Sequence, residues 1–216
     1  YIGYRGTLEE FNKDQKTATI VSGLYDKVGG KWREPVNLPN GCFVQILYKD
    51  EVLHALMSTV VEHVQSLDMQ NAIHERRTVF ETADRIRITV QARRFASLAR
   101  HHMICMEYSI HADQACEVDI CAGIDGDVWD LNGPHLRNVH AVEQGDVISV
   151  CATTHENAVR VAVSETIVCT EAGQVLNEER CADDLQIVRK FTKVNLQKGF
   201  TFYKFLSHWT GLESKN

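Results

Sequence analysis

The amino-acid sequence predicts an all-β protein, a large antiparallel β-sandwich. Apolar and polar residues alternate with a period of two along several segments, and short turn-forming segments rich in glycine, asparagine and aspartate separate them. Successive side chains of a strand point to opposite faces, so this alternation predicts strands with one face on a core. Regularly spaced strands joined by such turns favour a sandwich over alternating strand and helix units.

The clearest alternation lies in residues 85–93, 117–124 and 159–164. In the first of these, isoleucine and valine occupy one face while arginine, threonine and glutamine occupy the other. We therefore expect one apolar set to be buried between two sheets: Ile86, Ile88, Val90, Val118, Ile120, Val161 and Val163. Arg85 and Arg87 should then point outward.

Other segments give different patterns. Residues 147–152 and 200–206 are more continuously apolar or aromatic, which is typical of strands covered on both faces. Residues 178–185 are strongly polar, and we interpret them as a short helix or a polar loop. Turns are predicted where glycine, asparagine or aspartate interrupts the pattern, at 28–31, 48–51, 125–127, 132–134, 144–146 and 172–174.

Composition limits the classes of protein that this chain can represent. No linker or internal repeat divides its 216 residues, so we predict a single domain, 1–216. The net charge of -6 argues against nucleic-acid binding, and no apolar run of about 18 residues predicts a membrane span. The odd count of 7 cysteines favours reduced thiols and a cytoplasmic protein. Most of them are expected as small buried hydrophobes: Cys105, Cys116, Cys121, Cys151 and Cys169.

The histidines and paired acids do not predict a catalytic or metal centre. His101 and His102 are adjacent, so they face opposite sides of a strand. His135 and His140 lack cysteine or carboxylate neighbours at ligand spacing, and we interpret them as surface or hydrogen-bonded histidines.

Asp125 and Asp127 flank Gly126, which favours a solvated turn over a calcium loop or a sugar-hydrolase pair. No nucleophile elbow or phosphate-binding glycine loop occurs either. We therefore predict no catalytic residue and no metal ligand in this chain, and the sequence assigns no substrate-binding residue.

Aromatic and basic residues leave alternatives open. The aromatic side chains that could offer sugar-stacking faces are Trp32, Trp129, Trp209, Tyr4 and Tyr25. The favoured interpretation is core packing for Trp209 and loop anchoring for the others. A basic cluster is read as an outward face paired with carboxylates such as Glu75 and Glu81, or alternatively as a docking face for another domain: Arg76, Arg77, Arg85, Arg87, Arg93, Arg94 and Arg100.

Several short blocks, in order along the chain, resemble the N-terminal domain of family 65 glycoside hydrolases and phosphorylases. The blocks are Tyr-Ile-Gly-Tyr-Arg-Gly at 1–6, Gly-Leu-Tyr-Asp at 23–26, Pro-Val-Asn-Leu-Pro-Asn at 35–40, the segment 67–80, Arg-Arg-Phe-Ala-Ser-Leu at 93–98 and Gly-Ile-Asp-Gly at 123–126. One departure is the absence of the Gly-Asn-Gly that leads the family's first motif. The resemblance covers residues 1 to about 127.

This resemblance implies an N-terminal β-sandwich of the super-sandwich type. It also implies that the domain belongs to an inverting enzyme for α-linked glucosides such as maltose, trehalose, kojibiose and nigerose. In the family, the catalytic acid lies in a helical barrel downstream of this domain. In phosphorylases a glutamate there protonates the leaving oxygen while inorganic phosphate attacks the anomeric carbon, whereas hydrolases use an activated water. No cofactor is implied, and inorganic phosphate is a co-substrate only if the parent enzyme is a phosphorylase.

The partners implied are the downstream catalytic barrel of the same polypeptide and the parent's disaccharide, and a homodimer is left open. A stand-alone carbohydrate-binding or structural sandwich is the alternative. Residues 4–6 and 37–40 could reach a neighbouring catalytic cleft, although a folding role is favoured for them. The chain by itself is expected not to cleave α-glucosides.

Overall fold

The computed structural model describes the backbone of residues 2–5 and all atoms of residues 18–170 and 177–212. Tyr1, Gly6 and the turn predicted at 172–174 lie outside the described residues. The strands of the first half are β1 (Ile2–Arg5), β2 (Ala18–Asp26), β3 (Glu34–Asn37), β4 (Asn40–Tyr48), β5 (Glu51–Val52), β6 (Val60–Asp68), β7 (Ile73–Glu81) and β8 (Arg87–Ala96). Those of the second half are β9 (Met103–Ala112), β10 (Glu117–Asp125), β11 (Leu136–Gln144), β12 (Val147–Thr154), β13 (Arg160–Cys169), β14 (Asn177–Ala182), β15 (Gln186–Asn195) and β16 (Phe200–Thr210).

These strands form three sheets within the described residues, and all strand pairs are antiparallel. The largest has the order β11-β12-β13-β16-β9-β8-β7-β6. A five-stranded sheet, β14-β15-β10-β4-β5, and a three-stranded sheet, β1-β2-β3, complete the set. The described residues contain no helix, so the all-β prediction is confirmed.

Two apolar cores join the smaller sheets to the inner face of the largest one. In the first, Ile120 and Phe191 of the five-stranded sheet share a cluster with Ile88 and Phe202 of the largest. In the second, Leu24, Val36 and Leu38 share a cluster with Ile148 and Val163. This packing of two sheet layers through alternating inward residues is the sandwich that the sequence predicts.

The period-two alternation is confirmed residue by residue. All seven expected core residues are buried: Ile86, Ile88, Val90, Val118, Ile120, Val161 and Val163. Arg85 and Arg87 are exposed, as expected. The alternation therefore reports the buried face correctly in β8, β10 and β13.

The structure differs from the sequence prediction in three segments. The strands in 147–152 and 200–206 each bury one face and leave the other partly exposed, so neither is covered on both sides. Residues 177–182 form the edge strand β14 and not a helix, because β15 supplies backbone pairing along its whole length. Only residues 183–185 keep the predicted loop character, with Asp183 accepting a hydrogen bond from the backbone nitrogen of Leu185.

The cysteines are less buried than expected. None of the seven forms a disulfide, in line with the reduced state that the sequence predicts, but only Cys42 is buried. The five expected in the core are half-buried: Cys105, Cys121 and Cys151 lie on strand positions that alternate with core positions, whereas Cys116 and Cys169 pack against the margin of the first core. Partial burial still raises the pKa of the Cys105 and Cys151 thiols.

A buried ionic cluster clamps the two layers together. Lys204 of β16 is fully buried, and its Nζ donates hydrogen bonds to the carbonyl oxygens of Phe43 and Gly123 in the smaller sheet, both at 2.8 Å. The same Nζ lies 2.7 Å from Oε2 of Glu165. Arg189 Nε donates to Oε1 of Glu165 at 3.3 Å. Burial lowers the pKa of Lys204, and Glu165 opposes that shift.

We predict that His208 makes the protein acid-sensitive. Its side chain is buried, and burial lowers its pKa from 6.5 to about 4. Between these values the unfolded chain binds a proton that the folded chain does not bind, so this group destabilises the fold as pH falls. The His208→Leu variant should therefore gain about 2 kcal/mol relative to the native chain at pH 5.

Urea unfolding of both proteins at pH 5 and pH 8 measures this effect. His140→Leu is the matched control, because His140 is exposed. An equal gap between native and His208→Leu proteins at the two pH values would contradict the prediction.

Candidate functional site

Three loops meet beside the second core: residues 27–33 between β2 and β3, residues 126–135 between β10 and β11, and residues 155–159 between β12 and β13. We call them the three-loop cluster. Lys31 Nζ donates to the carbonyl oxygen of Asn132 at 3.4 Å. Arg33 forms an ion pair with Glu156, with Nε and Oε2 2.9 Å apart. Side chains of each loop therefore contact another loop of the cluster.

A buried charged triad underlies these loops. The pairing of β2 with β3 places Asp26 directly opposite Glu34, and both are buried. Two carboxylates in that position repel each other. His135, which is 0% exposed, lies between them, with Nδ1 3.1 Å from Asp26 Oδ2 and Nε2 2.8 Å from Glu34 Oε1. Both ring nitrogens can donate only in the imidazolium form, so the geometry calls for a protonated ring.

The pKa shifts agree with this assignment. Burial by itself lowers the pKa of His135, but hydrogen bonds to Glu34 and Asp26 outweigh burial and raise it. Burial by itself raises the pKa of Glu34, but hydrogen bonds from Asn132 and His135 outweigh burial and lower it. Each group thus stabilises the charged form of the other.

Further hydrogen bonds tie the triad to the backbone of the loops. Glu34 accepts from the backbone nitrogen of Asn132 at 2.7 Å and from its Nδ2 at 2.8 Å. Asp26 accepts from the backbone nitrogen of Glu156 at 2.8 Å. Asp130 accepts from the backbone nitrogen of His135 at 3.2 Å, and burial raises the pKa of its carboxyl group. The triad therefore fixes the shape of all three loops.

Glu34, Asp130 and His135 could in principle hold a metal ion, since their ligand atoms lie within 4.8 Å of one another. A histidine ligand must offer a deprotonated nitrogen to the metal. Here both nitrogens of His135 face carboxylate oxygens, and Glu34 is already satisfied by Asn132. This donor set fits a hydrogen-bonded clamp better than a metal centre, and the absence of a metal ligand stays a prediction.

Sequence reasoning missed this triad. It correctly expected a hydrogen-bonded histidine at position 135, but a surface position is wrong, and the search for carboxylates stayed close to it in sequence. Asp26 and Glu34 are 109 and 101 residues away along the chain. The one signal in the sequence was Asp26 at the end of the Gly-Leu-Tyr-Asp block, because period-two alternation places it on the same strand face as the apolar Leu24.

Apolar side chains project from the three-loop cluster into solvent. Trp32 and Leu131 are each 73% exposed, and Trp129 is 40% exposed. We call these three residues the apolar rim. Loop anchoring is the wrong interpretation for Trp32, because so exposed a side chain anchors nothing within the described residues. Exposed large apolar groups on loops with a rigid base are typical of an interaction surface.

The remaining aromatic and motif residues divide between interior and surface. Core packing is wrong for Trp209, which is 51% exposed. Asn37 and Asn40 are buried, and their Oδ1 atoms accept hydrogen bonds from the backbone nitrogens of Thr19 and Cys42. That position supports the favoured folding role. The side chains of Tyr4 and Arg5 lie outside the described part of the chain.

The turn at Asp125 and Asp127 and the outward placement of the arginines agree in part with the sequence prediction. Asp125 accepts a hydrogen bond from the backbone nitrogen of Asp127 at 3.0 Å, as in a tight turn. Ion pairs join the outward arginines to glutamates, namely Arg77 to Glu62, Arg87 to Glu81 and Arg93 to Glu75. Arg76 and Arg94 are instead buried, so their placement on the outward face is wrong.

Comparison with known proteins identifies the class of domain. The model of the glycosyl hydrolase family 65 N-terminal domain matches residues 1–216. The chain belongs to this family of N-terminal domains, as its sequence motifs indicated.

Among curated proteins, nigerose phosphorylase of Lachnoclostridium phytofermentans is 36% identical over 94% of this chain, and the match covers 30% of that protein. The 1,2-alpha-glucosylglycerol phosphorylase of Bacillus selenitireducens is 31% identical over 74% of this chain and 21% of that protein. The chain thus spans less than a third of the length of these relatives.

A solved structure supports the fold. It is described as a kojibiose phosphorylase from the human microbiome and superposes with a TM-score of 0.78 at 12% identity. The match covers 92% of this chain and 27% of that one. In the described part of this protein, no helical segment has the length and apolarity required to span a membrane.

Proposed function

We propose that this chain is the non-catalytic N-terminal domain of a family 65 disaccharide phosphorylase, and that the three-loop cluster docks it onto the catalytic (α/α)6 barrel of the same polypeptide. One observation carries the proposal. The chain is 36% identical to a nigerose phosphorylase over nearly its whole length, yet the match covers only 30% of that enzyme. The catalytic acid and the phosphate site then belong to the larger remaining part.

The chemistry of the three-loop cluster supports docking over catalysis. Among the described residues, its buried acids and its imidazole are engaged with one another and with backbone nitrogens, so none is available as a general acid or base. The apolar rim, by contrast, is exposed and held on a rigid base. Tryptophan beside an arginine such as Arg33 is the composition that protein interfaces favour.

The activity, substrate and location of the whole enzyme follow from the same proposal. Phosphorolysis of an α-linked glucoside would use a barrel glutamate as acid and inorganic phosphate as nucleophile. Nigerose is the first disaccharide to test. Of the two relatives described above, the nigerose phosphorylase matches the larger share of this chain and of its own length. A cytoplasmic location fits the seven cysteines, none of which forms a disulfide.

Substituting the apolar rim in the longer protein tests the docking surface. We expect the double variant Trp32→Ser and Leu131→Ser to lower phosphorolytic turnover by about tenfold or more. Losing these contacts should weaken the binding free energy between the two domains by about 1 kcal/mol or more, so that the catalytic domain is held less firmly in its active arrangement. The melting temperature of the 216-residue chain carrying the same changes should stay within about 2 °C of the native value, since exposed substitutions have small effects on stability.

Met57→Ser with Met69→Ser is the matched control, because these methionines are 80% and 86% exposed and lie away from the three-loop cluster. This control should leave turnover unchanged. Full turnover in the rim variant, or an equal loss in the control, would refute the docking surface.

A further inference from the structure

A second surface, separate from the three-loop cluster, has the form of a small-molecule site. It is a groove of about 470 Å³ on the outer face of the largest sheet, where β11, β12, β13 and β16 lie side by side. This volume lies within the range of small-ligand sites, roughly 300–1,000 Å³. The outer face of a sandwich sheet is normally flat and polar, so a groove beside an exposed tryptophan needs a physical explanation.

Strand register creates the groove. Trp209 of β16 pairs with Ala162 of β13, Ala162 pairs with Cys151 of β12, and Cys151 pairs with His140 of β11. Large rings therefore stand at both ends of a cross-strand row whose two central members are small. With strands about 4.8 Å apart, the two rings rise from backbones about 14 Å apart.

The indole of Trp209 is held with one face toward the groove. His102 stacks on it with ring centroids 4.3 Å apart and an interplanar angle of 14°. His102 does not line the groove, so it covers the indole face on the β9 side. Ala162 is the direct neighbour on the β13 side and is too small to cover the other face, which leaves an oriented aromatic platform.

Polar groups surround this platform without making it an anion site. Asn138, His140, Thr153 and Arg160 line the groove, and no carboxylate does. His140 Nδ1 donates to the carbonyl oxygen of Asn138 at 2.8 Å, so in the neutral ring Nε2 is an acceptor. The register of β11 against β12 shifts between Arg137 and His140, beside the groove residue Asn138.

We propose that this groove binds a neutral pyranose unit of an α-linked glucoside. The apolar C–H face of the ring would pack on Trp209, burying apolar area against the indole. Its hydroxyl groups would bond with Arg160, Asn138 and Nε2 of His140. The groove is less suited to a phosphate or a nucleic acid. Its lining contains a single guanidinium group, and the chain carries a net charge of -6.

The choice of α-glucosides rests on the proposed function, whereas the groove itself does not. The chain encloses its own cores, so the site can be tested on this domain without a catalytic barrel. Titration with maltotriose and nigerose, followed by tryptophan fluorescence and by NMR chemical shifts, should give saturable binding. Because no catalytic domain is present, failure here would leave the docking proposal intact.

Two variants and one control locate the binding. Trp209→Ala removes the platform, and Ala162→Leu keeps the platform but fills the space beside it. Each should weaken binding by about tenfold or more, equivalent to about 1.4 kcal/mol. Met69→Ala removes an exposed apolar side chain outside the groove and should change nothing. The absence of saturable binding by the native chain, or unchanged binding in Trp209→Ala and Ala162→Leu, would overturn the proposal.

Discussion

Replacing Lys204 by methionine is expected to destabilise the domain by about 3 kcal/mol or more, because it removes the cation from a buried ionic cluster. Glu165 is 1% exposed and would retain only Arg189 as a charged partner. The carbonyl oxygens of Phe43 and Gly123 would lose the ammonium donor that links the two sheet layers. Urea unfolding at pH 7 measures the loss as a lower midpoint.

The control is the double variant Glu165→Leu with Lys204→Met. Removing both charges leaves no carboxylate desolvated beside a missing cation, so the double variant should be more stable than Lys204→Met alone. Arg189 keeps Glu178 as a partner at 2.8 Å in that background. A single variant within about 0.5 kcal/mol of the native chain would show that the cluster does not clamp the layers.

Replacing His135 by leucine is expected to cost about 3 kcal/mol at pH 6, because Asp26 and Glu34 would remain buried opposite each other without a cation between them. His135→Gln is the matched comparison, since it keeps a hydrogen-bond donor but no charge. The free energy of unfolding of His135→Gln should lie between those of His135→Leu and the native protein. Thermal and urea unfolding of the three proteins give this order.

The pH dependence of the same variants is the sharper test. The folded-state pKa of His135 is raised, so its contribution is fully present below its unfolded value of 6.5 and is lost as pH rises through the folded value. The pKa of Glu34 is lowered, so its contribution is present above its unfolded value of 4.5 and is lost as pH falls through the folded value. The gap between native and His135→Leu proteins should therefore narrow from pH 6 to pH 9. A gap that widens over that interval would contradict the imidazolium assignment.

The sequence predicts correctly which face of a strand is buried, because this feature depends only on neighbouring residues. Burial of Ile88, Val90 and Ile120 follows from period-two alternation, because a strand needs no distant information to assign its faces. The same rule applied one step further would have placed Arg94 inward, two residues after the buried Ala92. The charge of arginine suggested an exposed side chain, whereas its position in the strand indicates correctly that Arg94 is buried.

The buried clusters could not be predicted because distant segments create them. Lys204 sits in an aromatic strand and meets Glu165 only through the pairing of β13 with β16 and the packing of β4 and β10 above it. His135 meets Asp26 and Glu34 across more than a hundred residues. No spacing rule within one segment reports such contacts.

Phosphorolysis by separately prepared parts of the proposed phosphorylase tests the central claim most directly. The 216-residue chain, the remainder of the longer protein, and an equimolar mixture of the two would each be incubated with nigerose and inorganic phosphate, and glucose 1-phosphate would be measured. We predict product from the mixture and none from this chain alone, with the remainder alone giving less than about a tenth of the mixture's rate. Turnover proportional to the concentration of this chain alone, or full turnover by the remainder without it, would contradict a non-catalytic supporting domain.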